Sequence, residues 1–183
     1  MRYDFAPSPI GASAGPWGFG GSITNCAYRV AMPTVRVEQA VDAPRDALFA
    51  VLSDHEGYGR FPGVRKCELI ETGSTERNGL GALRRVYLGG PTVLDEEIVA
   101  YDAPHHFEYR IVRARPVPVK HTLGRLEFEA IGPNRTRVVW TTTFDIRLPI
   151  IGRSISNRAA VQFTRAFKKI IRVAAGIAAR QAA

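Results

Sequence analysis

Two neighbouring segments of the sequence carry side chains that could exchange protons with a bound molecule. Arg85 and Tyr87 alternate along one predicted strand, and Asp95 and Glu97 alternate along the next. Residues two apart on a strand point to the same face, so one face of a sheet could hold all four side chains. A desolvated Glu97 as base and Tyr87 as proton donor, with Asp95 as a further catalytic candidate, would suit aldol cyclisation or dehydration.

The strand register decides whether these groups face the interior. If the turn at residues 102–104 pairs Tyr101 with Phe107, the face that carries Asp95 and Glu97 turns inward. A slip of one residue instead turns inward the set Leu94, Glu96, Ile98 and Ala100. Because an unpaired buried charge costs several kcal/mol, an inward arginine and carboxylate would have to pair. Such a pair could also serve only to orient a ligand, without catalysis.

The remaining polar residues give no sign of a metal site or a nucleophile. The four histidines are His55, His105, His106 and His121. They show neither HxH nor HExxH spacing, so we expect no metal. We place all four at the surface or in turns, where His55 and His121 could also border the mouth of a ligand cavity. Cys67, within a predicted strand, is expected to be a core residue. No glycine-rich segment joins a strand to a helix, so no nucleotide or other cofactor is expected.

The elements that must position these groups begin with a strand at residues 35–41, where valines alternate with other side chains. Asp42-Ala43-Pro44 then predicts a helix start with Pro44 at the first helical position. A second short helix is expected after Ser53-Asp54, limited to a turn or two by the glycines that follow.

Six more alternating segments come next, separated by turn residues about every 8–12 residues, the spacing of antiparallel strands. The predicted strands are Val64–Thr72, Gly81–Leu88, Thr92–Tyr101, His106–Val112, Val119–Ile131 and Thr136–Phe144. Arg113–Pro118 is expected to be an extended loop. Strands and helices do not alternate, which excludes a parallel doubly wound sheet.

The last segment, Ile150 to Ala179, has apolar residues at three- and four-residue steps and predicts one long amphipathic helix. Its apolar stripe is Ile151, Ile155, Ala159, Phe163, Phe167, Ile170, Ala174 and Ile177. Seven antiparallel strands curved around this helix would make an α+β fold with an apolar gap between sheet and helix, suited to a hydrophobic small molecule. The ligand-binding side chains expected there are Arg85, Tyr87, Asp95, Glu97, Phe107, Tyr109, Trp140, Phe144, Phe163 and Phe167.

The formal charge of +8 equals the number of lysines and arginines from Arg147 to Arg180, a stretch without acidic residues that includes the long helix. Its cations form either a solvated helix face or a docking face for RNA, a ribosome or an anionic membrane. No DNA partner is expected. Aromatic residues for base stacking are missing beside these charges, because Phe163 and Phe167 lie on the apolar stripe. The sequence leaves the oligomeric state open.

Composition separates residues 1–33 from the rest. This part is dense in Gly, Ala, Ser and Pro without a sustained period, so we expect a disordered or loosely attached extension before a single domain at 34–183. No apolar run reaches the roughly 20 residues that span a bilayer. The two cysteines, Cys26 and Cys67, show no metal-ligand spacing, and a reduced cytoplasmic protein is expected.

Several segments resemble the START/birch-pollen-allergen superfamily (SRPBCC), in particular its bacterial polyketide cyclase/dehydrase-like branch. They are Val41-Asp42-Ala43-Pro44, Phe61-Pro62-Gly63-Val64, Tyr101 to Arg110 and Thr136 to Thr141, within a likeness that spans residues 34–179. The resemblance implies a helix-grip fold with a cavity for a lipid, polyketide, plant-hormone-like or quinone-type ligand. It leaves two functions open, binding or carriage of that ligand and a cyclase or dehydratase reaction in the same cavity. No catalytic motif decides between them.

Overall fold

The fold is known from a computed structural model that describes residues 32–148 and 152–182. The predicted extension lies outside the described residues apart from Met32 and Pro33, and so do residues 149–151, where the long helix was expected to begin. In chain order the elements are β1 (Thr34–Val41), α1 (Arg45–Ser53), a 3₁₀ turn (Glu56–Arg60), β2 (Val64–Glu71), β3 (Leu83–Leu88), β4 (Val93–Asp102), β5 (His106–Arg115), β6 (Val119–Gly132), β7 (Arg135–Ile146) and α2 (Gly152–Gln181).

The seven strands form one antiparallel sheet in the order β1-β7-β6-β5-β4-β3-β2. With α1 and the 3₁₀ turn after β1 and α2 at the end, this confirms the predicted helix-grip fold. Two local expectations were wrong. Pro44 is the N-cap of α1 rather than its first residue, and Arg113–Arg115 continues β5 because these residues pair with β4.

One face of the sheet packs against the helices and holds the core. On β7 the inward side chains are Val138, Trp140, Thr142 and Phe144, all buried and all predicted from the alternation. β1 adds Val35 and Val37, which lie opposite Thr142 and Trp140. Burying such side chains contributes roughly 1.5–3 kcal/mol each, which fixes the face that the helices cover.

The two halves of α2 meet this face differently. Near its C-terminus Ile170, Ile171, Ala174, Ala175 and Ala178 are buried, and α2 packs against α1, β1 and β7. Between the buried Ser156 and Ile170, the inward side chains, including Phe163 and Phe167, are only half-buried. Close packing therefore ends partway along α2, and a space opens between its first half and the sheet.

Candidate functional site

The charged residue that β4 directs inward is not one of the predicted site residues. Tyr101 does pair with Phe107, as expected. A β-bulge between Ile98 and Ala100 then shifts the register, so that Ile98 lies opposite Tyr109. A bulge inserts one residue into the alternation and reverses the faces beyond it. The inward orientation predicted for Asp95 and Glu97 is therefore wrong. The alternative set is the correct one up to this bulge, and Glu96 faces inward between Leu94 and Ile98.

Arg85, Tyr87, Asp95 and Glu97 lie on the outer face, where each has a partner. Arg85 holds Asp95 through two hydrogen bonds of 2.6 and 3.0 Å, and these hold the pKa of the Asp95 carboxyl below its usual range. Tyr87 donates to Glu68 at 2.8 Å, and Arg110 donates to Glu97 at 3.0 Å. The inward orientation predicted for Arg85 and Tyr87 is wrong for the same reason, since β3 follows the register of β4.

Arg84 and Glu96 form the buried ion pair of the inner face. Arg84 is 2% exposed and Glu96 6%. The Arg84 Nε and Nη2 atoms both lie 2.8 Å from Glu96 Oε2. Glu96 Oε1 has no hydrogen-bond partner among the described residues, and it is not completely buried. It therefore faces the open space beside the sheet. One carboxylate oxygen thus holds the arginine while the other is available to a ligand.

His55 and Tyr58 complete the surroundings of Arg84. Arg84 Nη1 donates to His55 Nδ1 at 3.0 Å, and His55 Nε2 donates to the carbonyl oxygen of Asn78 at 3.0 Å. Burial first, and then the charge of Arg84, lowers the pKa of His55 to about 2, so its ring is neutral. The guanidinium lies 4.4 Å from the centre of the Tyr58 ring, a cation–π contact.

Tyr109 and Trp140 form the polar part of the aromatic wall. Trp140 Nε1 donates to the Tyr109 hydroxyl at 3.1 Å. Burial, and then the charge of Glu96, raises the pKa of Tyr109, so its hydroxyl stays protonated. The Tyr109 ring crosses over Gly124, where an added Cβ would come within 2.2 Å of a ring atom. Glycine at 124 is thus what allows this ring to lie flat against β6.

His121 fills a gap in the sheet. β5 and β6 pair only from His106 to Tyr109 on β5, and beyond that point they separate. His121 Nδ1 accepts the Ile111 amide at 3.1 Å in place of a backbone carbonyl, and its Nε2 donates to Thr142 Oγ1 at 2.8 Å. Burial lowers the pKa of His121 to about 4, which keeps the ring neutral and able to accept this bond.

A cavity of about 530 Å³ lies between the first half of α2 and these strands. Arg84, Glu96, Tyr109, His121 and Thr142 make its polar wall. The rest is mainly apolar and includes Val86, Leu94, Ile111, Trp140, Phe144, Phe163, Phe167 and Ile170. Trp140 and Phe167 stack with their ring centres 3.9 Å apart. This is a volume and lining typical of small-molecule sites.

Of the side chains predicted to line such a space, Tyr109, Trp140, Phe144, Phe163 and Phe167 do so. Phe107 faces inward as predicted but packs against Phe49 and Phe128 in the solid core. The cavity also reaches Gly89, Arg115 and Pro116, which are exposed, so its mouth lies beside them.

Sequence reasoning missed Arg84. It gave Glu96 only as part of the alternative inward set, and His55 and His121 only as residues that could border a cavity mouth. His55 and His121 are buried, whereas His105 is exposed in its turn and His106 is half-buried, so the surface placement was wrong for the first two. A signal for the ion pair was present. Arg84 and Glu96 are the charged residues of the more apolar faces of their strands, and two such faces meeting across a ladder predict a buried pair.

Within residues 32–148 and 152–182, no cluster of three or more His, Cys, Asp or Glu side chains could hold a metal ion. The same residues include no helix that is both long and apolar enough to cross a bilayer. Cys67 is buried, and this burial raises the pKa of its thiol to about 11.

Comparison with protein families gives one match. Residues 32–181 match the family described as polyketide cyclase/dehydrase and lipid transport. A search of the curated proteins found no match.

Solved structures share the fold at low sequence identity. The Zhui aromatase/cyclase from Streptomyces sp. R1128 is 23% identical, with a TM-score of 0.67 over 83% of this chain and 96% of that one. A START superfamily protein from Mycobacterium smegmatis is 16% identical, with a TM-score of 0.64 over 75% and 94% of the two chains. A protein from Thermus thermophilus is 18% identical, with a TM-score of 0.68 over 82% and 100%.

Proposed function

The chain belongs to the polyketide cyclase/dehydrase and lipid transport family, and from that premise we propose that it binds one amphipathic small molecule in the cavity. The apolar body of the ligand lies against the aromatic wall, with Tyr109, Trp140, Phe144, Phe163 and Phe167 as its contacts. Its polar group contacts Arg84 and Glu96. The polar contacts predicted from the sequence face outward and are not part of this proposed site; they are Arg85, Tyr87, Asp95 and Glu97. Location in the cytoplasm stays a prediction.

The unpaired oxygen of Glu96 is the observation that supports this proposal most. A carboxylate oxygen that faces a mainly apolar cavity without a protein partner gains from any donor on a bound molecule. Arginine carries five N–H groups, and Glu96 and His55 do not use all of them. A ligand hydroxyl or enol, which can donate to Glu96 and accept from Arg84 or Tyr109, satisfies both needs at once.

Filling the cavity tests ligand binding. Ile111 lines the cavity, whereas its neighbour Val112 is 50% exposed, so Ile111→Trp and Val112→Trp place the same side chain inside and outside. Binding of the fluorescent probe 8-anilinonaphthalene-1-sulfonate is titrated by fluorescence. We expect Ile111→Trp to weaken binding at least about tenfold and Val112→Trp to stay within about twofold of the parent.

Circular dichroism confirms that both variants fold. Native mass spectrometry of the freshly purified protein then identifies any ligand that remains bound. Equal affinity of both variants, or probe binding that does not saturate, would contradict the cavity as the site.

Cyclase or dehydratase activity is the second candidate function, and the same unpaired Glu96 oxygen favours it. In a mostly apolar cavity this oxygen can take a proton from the carbon next to a ketone, while Arg84 and Tyr109 stabilise the enolate oxygen. The base is then Glu96 and not Glu97. Product formation from a poly-β-ketone analogue, followed by mass spectrometry, should be lost in Glu96→Gln and kept in Glu97→Gln. Equal activity in both would exclude Glu96 as the base.

A further inference from the structure

Most of the described lysines and arginines without an acidic partner lie on α2; the others are Arg65, Arg113, Arg115 and Lys120, on β2, β5 and β6. In residues 32–148 and 152–182, most basic side chains outside α2 lie within 4.0 Å of a carboxylate. The described basic side chains of α2 have no such partner, and the helix contains no acidic residue. They are Arg158, Arg165, Lys168, Lys169, Arg172 and Arg180, all exposed.

This basic stripe borders the cavity mouth. Ile155 and Gln162 on α2 line the cavity, and Arg158 and Arg165 each follow one of them by three residues, about one helical turn. Arg115 lines the cavity from β5 and likewise has no carboxylate within ion-pair distance among the described residues. Positive charge therefore flanks the opening from both the helix and the sheet.

Aliphatic side chains lie among these cations. Val161, between Arg158 and Arg165, is 53% exposed, and Val117, Leu148 and Ile155 are half-buried around the opening. The phenylalanines of α2 point inward to Trp140 and Phe144, so none is available on the basic side for stacking on bases. Cations mixed with aliphatic groups suit the surface of an anionic bilayer, whereas single-stranded RNA favours exposed aromatic residues.

We propose that the mouth-side surface, made by Arg115, Arg158, Val161, Arg165, Lys169 and Arg172, docks on an anionic lipid bilayer. Charge complementarity selects this partner, since each cation close to an anionic surface raises affinity by roughly fivefold. The docked orientation directs the cavity mouth toward the lipid, so an apolar ligand can pass without crossing water. That last step rests on the proposed ligand-binding function; the docking itself does not.

Vesicle flotation tests the docking. The full chain is mixed with phosphatidylcholine vesicles, with or without 30 mol% phosphatidylserine, at about 50, 150 and 500 mM salt. We expect binding only with phosphatidylserine and a steep loss as salt rises. The variant Arg158→Gln/Arg165→Gln/Lys169→Gln should lose at least about tenfold in affinity. The matched control, Arg36→Gln/Arg110→Gln/Arg137→Gln, removes the same charge from exposed positions of the outer sheet face and should stay within about twofold.

The outcomes separate docking from ligand binding. No binding to anionic vesicles, or an equal loss in both triple variants, would overturn the docking surface even if the cavity still binds the probe. Tighter binding of a single-stranded RNA oligonucleotide at the same salt, lost in the first variant only, would replace the bilayer by RNA. Docking by a protein whose cavity binds no probe would contradict only the proposed function.

Discussion

The charged residues of β3 and β4 show how burial separates side chains of the same type. Arg84 with Glu96 and Arg85 with Asp95 are neighbouring cross-strand pairs on opposite faces of the sheet. The two carboxylates are equally buried, and the arginines make the difference. The Arg85 side chain is 29% exposed, so water screens its pair, whereas Arg84 is surrounded by Tyr58, Tyr109 and His55. Removing a partner therefore costs far more on the inner face than on the outer one.

Substitution of the two neighbouring glutamates measures this difference. Glu96→Ala leaves Arg84 charged and buried and should lower the free energy of unfolding by about 3–5 kcal/mol. Glu97→Ala removes a partly exposed ion pair and should cost less than about 1 kcal/mol. Urea unfolding at pH 7 gives both values. The double variant Arg84→Met/Glu96→Leu should recover most of the loss, and a double variant as unstable as Glu96→Ala would contradict the burial argument.

The helix α2 has two roles at the scale of a whole element. Its C-terminal part, from Ile170 onward, contributes buried side chains to the core, and the part before Ile170 covers the cavity. A close-packed half resists the loss of any side chain, because little can collapse into the space left behind. Truncation of a side chain that already borders the cavity removes fewer packing contacts and should therefore cost less.

Alanine substitutions along α2 should reveal this division. Ile171→Ala, at a fully buried position, should cost about 2–5 kcal/mol. Phe163→Ala should cost only about 1–2 kcal/mol, although it removes a larger side chain, because Phe163 is half-buried and lines the cavity. Val161→Ala on the exposed side is the control and should stay within about 0.5 kcal/mol. Chemical denaturation gives the order of the three losses in unfolding free energy. A greater loss for Phe163→Ala than for Ile171→Ala would mean that α2 is closely packed around Phe163, without a cavity.

The stability of the whole molecule depends on two buried neutral histidines. Both His55 and His121 have folded-state pKa values below the ordinary 6.5, so the unfolded chain binds more protons than the folded one. Stability is therefore at its full value above about pH 6.5 and falls as the pH decreases. The contribution of His121 is lost between about pH 6.5 and 4, and that of His55 continues to decline to about pH 2.

Unfolding free energies measured from pH 7 to 4 test this linkage. His121→Gln removes one proton-binding site and should flatten the curve by about 3 kcal/mol over this range relative to the parent. His105→Gln, at an exposed turn, is the matched control for the substitution itself. Carboxylates titrate in all variants, so the difference between variants is the quantity to compare. A His121→Gln curve parallel to that of the parent would show that His121 titrates normally.

The sequence by itself determined the order of the elements, the antiparallel sheet and the inward face of β7 and of α2. These follow from periodicity along short stretches of chain, where each residue's orientation depends on its neighbours. The resemblance in four short segments identified the family for the same reason, since those segments are turns and core strands of the fold.

Only the tertiary structure decided which carboxylate of β4 faces the cavity and which histidines are buried. The bulge near Val99 arises from pairing between strands, and no neighbouring residue type indicates a change of register. His55 is held by Arg84 and Asn78, and His121 by Ile111 and Thr142, all at least 10 positions away in the sequence. Local patterns cannot specify such contacts, because burial of a polar group depends on the partners that the complete fold brings to it.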